Sequence, residues 1–493
     1  MKDSKLFDLL RSLNGTQRNA LDKLMESPYF YKYEATQNLY LWVMPFVTLG
    51  KRGWQELDLS YTAVQRQWAA PLGYTASDVR RFSSQLLELV ETYIVVNRLQ
   101  IEPITNSLFL MDYYINTSLN VHYKLVYKTA VDYLSESEAC IEQYFQSWQI
   151  EHSNIEFESI HDSTDVGIVK ANNYLDAFYL VTKMRYILLH TLKKDIGELE
   201  DMLPFTTNVL HNVREGVALR EEFLLLHLYY IMYDCFQNPS EENYDYILSV
   251  LAKNQARLSL TLLSDLYFML EVILIRHFST HYNAAIKALF RVYKTIVECN
   301  LILERDGILL LTRYNNFYLV GCKLKEWEWV DWFIEKYIAY IPQPIRDDCH
   351  NLARVTYLFY KGDYQKIYDT TASIKLKDPA NFINIRRLLL SATYELAYVD
   401  ESYDEMLLSQ LDNYKRLLLY HKKNVPKSFY QSHFTFHFIL RKICIYPNMS
   451  EVWRLRLVKS VETTPNLAAK DWLNEKLEEF KQRAPKKAPK KIK

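Results

Sequence analysis

The chain has 493 residues, 49% of them apolar and 24% charged, with only 10 Gly and 14 Pro. So little turn material excludes a fold of many short strands and points to long helices joined by brief loops, arranged either as separate domains of roughly 100 to 200 residues or as a stacked array. Formal charge is zero, but Lys481, Arg483, Lys486, Lys487, Lys490, Lys491 and Lys493 crowd the end, leaving 52 basic against 59 acidic side chains elsewhere, and so acidic a body argues against a surface that wraps duplex DNA.

The opening helix pattern, Leu6, Leu9, Leu10 and Leu13, is followed by Gly15 and Thr16 starting a second helix that runs to Met25. Asp3, Asp8 and Arg11 interrupt any apolar core a secretory leader would need. Leu39 to Phe46, Tyr61 to Ala70 and Ala76 to Val96 continue the helical pattern, and Thr75 with Asp78 forms a capping pair for the last of these. Pro103 closes this first unit.

Long amphipathic helices are expected from 104 to about 148, and the polar stretch Glu151 to Gly167 reads as a loop or linker because its Ser, Asn and Asp side chains compete with helical backbone bonding. Beyond it helix follows helix to Phe480. Leu263, Leu266, Leu270 and Leu274 form the apolar stripe of one, with Ser264, Asp265 and Glu271 on its other face. Asp265, Glu271 and Arg276 mark Leu258 to Phe278 as a buried helix and not a membrane span.

A 37-residue step relates Trp327 to Tyr364, Val330 to Ile367, Tyr337 to Ile374 and Pro342 to Pro379, which is the pattern of a helix-turn-helix unit repeated in tandem. The second unit, NLARVTYLFYKGDYQKIYDTTASIKLKDP, resembles a tetratricopeptide repeat: Gly362, Asp363 and Tyr364 stand at the turn between its helices and Asp378-Pro379 at its close. Ile367 and Ile374 replace the family's Ala, and Arg354 replaces an apolar residue, so the array is divergent. The whole chain is also similar to a group of bacterial helical-repeat proteins through its opening LFDLLRSLNGTQRNALDKLMESPYF, a likeness that carries no chemistry. The tetratricopeptide resemblance implies a groove lined by the first helices of each pair, here by Asn315, Leu319, Leu352, Thr356, Arg386 and Leu390, with Arg386 and Asn315 gripping a carboxylate or backbone amides.

Catalytic and cofactor motifs are missing: the glycines form neither GxGxxG nor GxxxxGK[ST], and there is no GxSxG elbow. His277 with His281 and His433 with His437 have metal-compatible spacing, but no third ligand is apparent and the second pair lacks the Glu of HExxH, so both read as partly exposed helix residues. Cys140, Cys235, Cys299, Cys322, Cys349 and Cys444 are scattered and read as reduced thiols of a cytoplasmic protein. The 39 Tyr and other aromatics are spread evenly, which favours packing over a sugar- or base-stacking platform.

Residues 69–82 have the order of a DNA-reading helix-turn-helix, which would turn Ser77, Arg80 and Arg81 toward a duplex, with Pro71 as the feature that argues against it. The competing reading is an ordinary capped helix in a bundle. The Lys-Pro tail is a second nucleic-acid element in principle, although most such tails are simply solvated.

The expectation is therefore an all-α protein. It has an N-terminal helical unit (1–100), a divergent helix-pair array (101–300), a tetratricopeptide-like α-solenoid of antiparallel pairs (301–480) and a disordered basic tail (481–493). The expected role is a cytoplasmic, non-catalytic scaffold without cofactor, metal or membrane contact, which holds an unidentified protein or peptide on its concave face. The alternative is a DNA-binding regulator that reads through residues 60–98 and senses through the repeats.

Overall fold

The computed structural model describes residues 4–27, 29–30, 33–48, 60–160, 166–192, 205–304, 306–372, 378–445, 450–464 and 467–482. Among them every regular element is helical and no strand occurs. Of the expected basic tail 481–493, Lys481 and Gln482 instead end the last helix, and 483–493 lie outside these residues, as do Ile374 of the repeat comparison and 161–165 of the expected linker. The chain divides into two compact units, 1–182 and 183–493.

The first unit begins with α1 (Lys5–Ser12), α2 (Gly15–Glu26) and α3 (Glu34–Thr48). Asn14 starts α2 with a reciprocal cap: its side chain accepts from the Gln17 amide, and the Gln17 side chain accepts from the Asn14 amide, both at 2.9 Å. Next comes α4 (Tyr61–Val64), which runs on through a wide turn (Gln65–Ala69) and a tight one (Ala70–Leu72). Pro71 fits because the tight turn leaves its missing amide without consequence, and Gly73, left-handed at φ 76°, ends the run with the Tyr74 amide returning to the Ala69 carbonyl. After it α5 (Ala76–Ile101) is capped by Thr75 and Asp78 as the sequence predicts. Leu6, Phe7, Leu10, Leu21, Tyr40, Trp68, Phe82 and Leu86 pack into one core from these helices.

A second core in this unit joins α6 (Pro103–Asn116), α7 (Asn120–Glu136) and α8 (Ile141–Ile160) through Met111, Tyr123, Ala130, Ile150 and Phe157. The expected linker is thus corrected, since Glu151 to Ile160 is the second half of α8. Glu151 is buried, accepts from the Tyr127 hydroxyl at 3.1 Å and pairs with Lys170 at 2.6 Å. The apolar positions Ile150, Asn154-flanked Ile155 and Phe157 supply a packing face that outweighs the local preference of the Ser and Asn side chains. Lys170 lies on α9 (Val166–Thr191), within which the boundary between the units falls.

The second unit continues through α10 (Thr206–Glu215), α11 (Val217–Glu222), α12 (Leu224–Gln237), α13 (Glu241–Asn254), α14 (Leu260–Arg276) and α15 (Tyr282–Glu298). The Leu263–Leu274 stripe is buried as expected, but Glu271 is buried with it and accepts from the Tyr293 hydroxyl at 2.9 Å. Then follow α16 (Leu311–Lys323), α17 (Trp327–Tyr337), α18 (Arg346–Lys361), α19 (Tyr364–Ala372), α20 (Pro379–Val399), α21 (Asp404–His421), α22 (Lys427–Ile445), α23 (Glu451–Thr463) and α24 (Lys470–Gln482). Each helix from α16 to α22 packs on the next, and α16, α18 and α20 also pack on one another in sequence. The 37-residue step is visible in the elements: Trp327 and Tyr364 open α17 and α19, and Val330 and Ile367 are fully buried at equivalent turns. Gly362 ends α18 at φ 85°, a left-handed position that favours glycine.

Candidate interaction face

Residues four apart on a helix share a face. Asn315, Leu319 and Lys323 therefore line one side of α16, Leu352, Thr356 and Tyr360 one side of α18, and Arg387, Ser391 and Glu395 one side of α20. The opposite sides hold α17, α19 and α21. Tyr314 of α16 meets Phe333 at 5.7 Å between ring centroids, Arg354 of α18 pairs with Asp331 at 2.5 Å, and the Thr393 hydroxyl of α20 donates to Gln410 of α21 at 2.7 Å. The side turned away from these partners is called the inner face below.

Asn315, Leu319, Leu352 and Thr356 of the expected groove lie on this inner face, and Arg386 and Leu390 do not. Leu352 and Thr356 are largely buried; the Thr356 hydroxyl donates to the Leu352 carbonyl at 2.7 Å. Arg386 is turned by about 100° from Arg387, shares a side with Thr393 seven residues on, and holds its guanidinium 5.1 Å from the Phe382 ring. Leu390 packs with Leu411 and Tyr414 in the core. Asn315 and Arg386 are accordingly not brought together.

In place of Arg386 the inner face presents Arg387. Among the described residues its guanidinium has no hydrogen-bond or ion-pair partner. Burial lowers its basicity against the opposing influence of the Tyr414 and Tyr360 phenols. Close by, the Tyr414 hydroxyl and His433 Nδ1 are 2.6 Å apart, and burial together with the Arg387 charge pushes His433 down to about 3, so it adds no charge at neutral pH. Two polar atoms of this face are buried without partners among the described residues, Asn315 Oδ1 and Ser391 Oγ. The sequence does carry a trace of this arrangement, because Arg387, Ser391 and Glu395 form the polar stripe of an otherwise apolar helix.

At the other end of the inner face lies α24. Lys323 donates to Asp471 at 2.8 Å and to the Tyr282 hydroxyl at 3.1 Å. The Trp472 indole donates to Glu395 at 2.6 Å, and its ring lies 5.4 Å from Tyr394, 6.1 Å from Phe436 and 6.5 Å from Phe359. Lys476, almost wholly buried, pairs with Glu395 at 3.0 Å, Glu475 at 3.0 Å and Glu479 at 2.8 Å. Burial alone would weaken the Lys476 ammonium, but hydrogen bonds to Glu479 and Glu395 raise its basicity instead.

Three of the four paired histidines are buried, contrary to the expected partial exposure. His277 places Nδ1 2.8 Å from the Tyr244 hydroxyl and Nε2 3.2 Å from the Phe236 carbonyl, and His433 and His437 sit inside the α21–α22 core, while His281 is exposed. Among the described residues no cluster of His, Cys, Asp and Glu has the arrangement of a metal site. None of the six cysteines is in a disulfide, and burial pushes Cys322 and Cys235 up to about 12, far from a reactive thiolate.

In the first unit Ser77, Arg80 and Arg81 are all exposed on the first turns of α5. Arg81 pairs with Asp78 at 2.8 Å, which offsets its charge, and Ser77 shares a 2.8 Å hydrogen bond with Thr75. No helix of the described residues is long and apolar enough to cross a membrane. Comparison with family models, curated proteins and solved structures finds no match to this chain.

Proposed function

We propose that the second unit is a non-catalytic docking scaffold: α16 to α22 form antiparallel hairpins stacked as a short tetratricopeptide-like solenoid, and the inner face is its concave, ligand-holding surface. The hairpin reading is supported by pairings that run in opposite directions along α16 and α17, Tyr314 with Ile334 and Gly321 with Val330. The docking reading rests on one observation, the guanidinium of Arg387, which has no ion-pair or hydrogen-bond partner among the described residues and stands one turn from the unsatisfied Ser391 hydroxyl. A buried hydroxyl without a partner is costly in a native structure, and a half-buried guanidinium beside it is free to pair, so an acidic side chain or backbone carbonyl of a bound peptide would satisfy both.

Random peptides displayed on phage and selected against the full chain test this. Enriched peptides are expected to carry an acidic residue and to lose at least tenfold in affinity against Arg387→Ala, with no change against Arg214→Ala on α10. Failure to enrich peptides, or binding indifferent to Arg387, would refute the assignment.

A DNA-binding regulator is the second reading, motivated by the exposed Ser77 and Arg80 after the Gly73 turn. Fluorescence anisotropy with random duplex at low salt, comparing the full chain with Arg80→Ala/Arg81→Ala, decides it: equal binding by both, or none by either, removes this reading.

A further inference from the structure

The inner face already holds a helix. α24 reaches back across it to residues made long before, Lys323 of α16 and Glu395 of α20, and inserts Trp472 where α18, α20 and α22 meet. Its charges are matched in order to that face: the acid of Asp471 meets the base of Lys323, and five residues on the base of Lys476 meets the acid of Glu395. That order fixes both the direction and the register in which a helix is accepted.

The apolar anchoring is confined to few side chains, which enter the core shared with α20 to α23. Leu473 and Leu477 are the fully buried apolar side chains among the described residues of α24, whereas α15 buries Ile286, Leu289, Phe290, Val292, Tyr293 and Ile296 among others. The matched charges and the indole set the geometry of the contact, while its apolar share is two leucines and Trp472 set into the core of α20 to α23.

We propose that α24 is a resident ligand of the inner face, and that the partner this face accepts is an amphipathic helix of the same chemistry, with an acid directly before a Trp and a Lys four residues after it, taken up when α24 lifts away. The proposal rests on the docking reading and extends it from Arg387 to the Lys323 and Glu395 part of the same face.

A fluorescein-labelled peptide of residues 467–482 serves as the probe, titrated by anisotropy into the full chain and into the full chain carrying Trp472→Ala and Lys476→Met. The substituted chain, whose own α24 is weakened, is expected to bind the peptide at least tenfold more tightly than the unaltered chain. A peptide with the same two changes is expected to bind neither. A substituted chain that keeps its helical circular dichroism and binds the probe no better would overturn the proposal.

Should that chain fail to fold, hydrogen exchange of the unaltered chain decides. α24 amides exchanging at least a hundredfold faster than those of α18 support an opening of α24 alone, and equal rates refute it. Selected peptides that need Arg387 yet bind both chains equally would leave the docking reading standing and remove this one.

Discussion

Trp472 and Glu395, 77 residues apart, are joined by an indole hydrogen bond of 2.6 Å that ends on the same carboxylate Lys476 neutralises. Glu395 is thus a shared acceptor: it fixes the indole and the ammonium at once, and each partner depends on the other for a satisfied environment.

That dependence has a measurable form. Lys476→Met leaves Glu395 buried without its counter-charge and is expected to cost about 3 to 5 kcal/mol in urea unfolding, the usual penalty for breaking a buried pair. The double change Lys476→Met/Glu395→Gln is expected to recover more than half of the loss. Additive costs in the double-mutant cycle would show that the two groups act independently.

Gly321 of α16 lies directly against Val330 of α17. A Cβ there would lie 2.5 Å from Cγ2 of Val330, so Gly321→Ala forces the helices apart and should cost about 1 to 3 kcal/mol, as overpacking does. Gly321→Ala/Val330→Ala is expected to regain part of the loss, as read from urea midpoints at constant slope.

The α5 cap offers a milder probe. Thr75→Ala removes the acceptor for the Asp78 amide and should cost about 1 kcal/mol, whereas Thr75→Asn keeps an oxygen in place and should cost less than half as much. Thermal melting of the two variants compares them directly.

Acid sensitivity follows from the buried histidines. Burial, reinforced by the Arg441 charge, pushes His437 down to about 4 from an ordinary 6.5, so the folded protein keeps it neutral while the unfolded chain takes up a proton below 6.5. Its stabilising contribution is complete above pH 6.5 and is lost as the pH falls to about 4. A drop of that size corresponds to about 3 kcal/mol at the acid end. His437→Met, replacing a ring whose Nε2 has no partner, is expected to change the melting temperature little at pH 7.5 and to exceed the unaltered chain at pH 5 in calorimetry. An identical pH slope in both would refute the assignment.

Helical periodicity and caps made much of this architecture readable beforehand. The Leu263–Leu274 stripe, the Thr75 cap and the turn at Gly362 are set by contacts within a few residues, and such contacts are what a local pattern records. Glu151, Glu271 and His433 went the other way, into the interior, because each found a distant tyrosine (Tyr127, Tyr293 or Tyr414), and a local pattern does not record such partners. The same reason explains Arg386 and Arg387. Adjacent arginines are equivalent as letters, and only the rotation of α20 against α21 and α18 decides which one meets the inner face. The role of α24 was hidden altogether, since its partners Lys323 and Glu395 lie 148 and 81 residues away from Asp471 and Lys476.

The distance between Lys323 and Asp471 also bears on how the molecule is made. At ribosomal rates of roughly 5 to 20 residues per second, the 148 intervening residues take about 7 to 30 seconds to synthesise, long after a hairpin such as α16–α17 has had time to form. During that interval the nascent chain lacks the helix that pairs with Lys323 and sets Trp472 against Phe359 and Tyr394, and that helix is made only at the close of translation of this region.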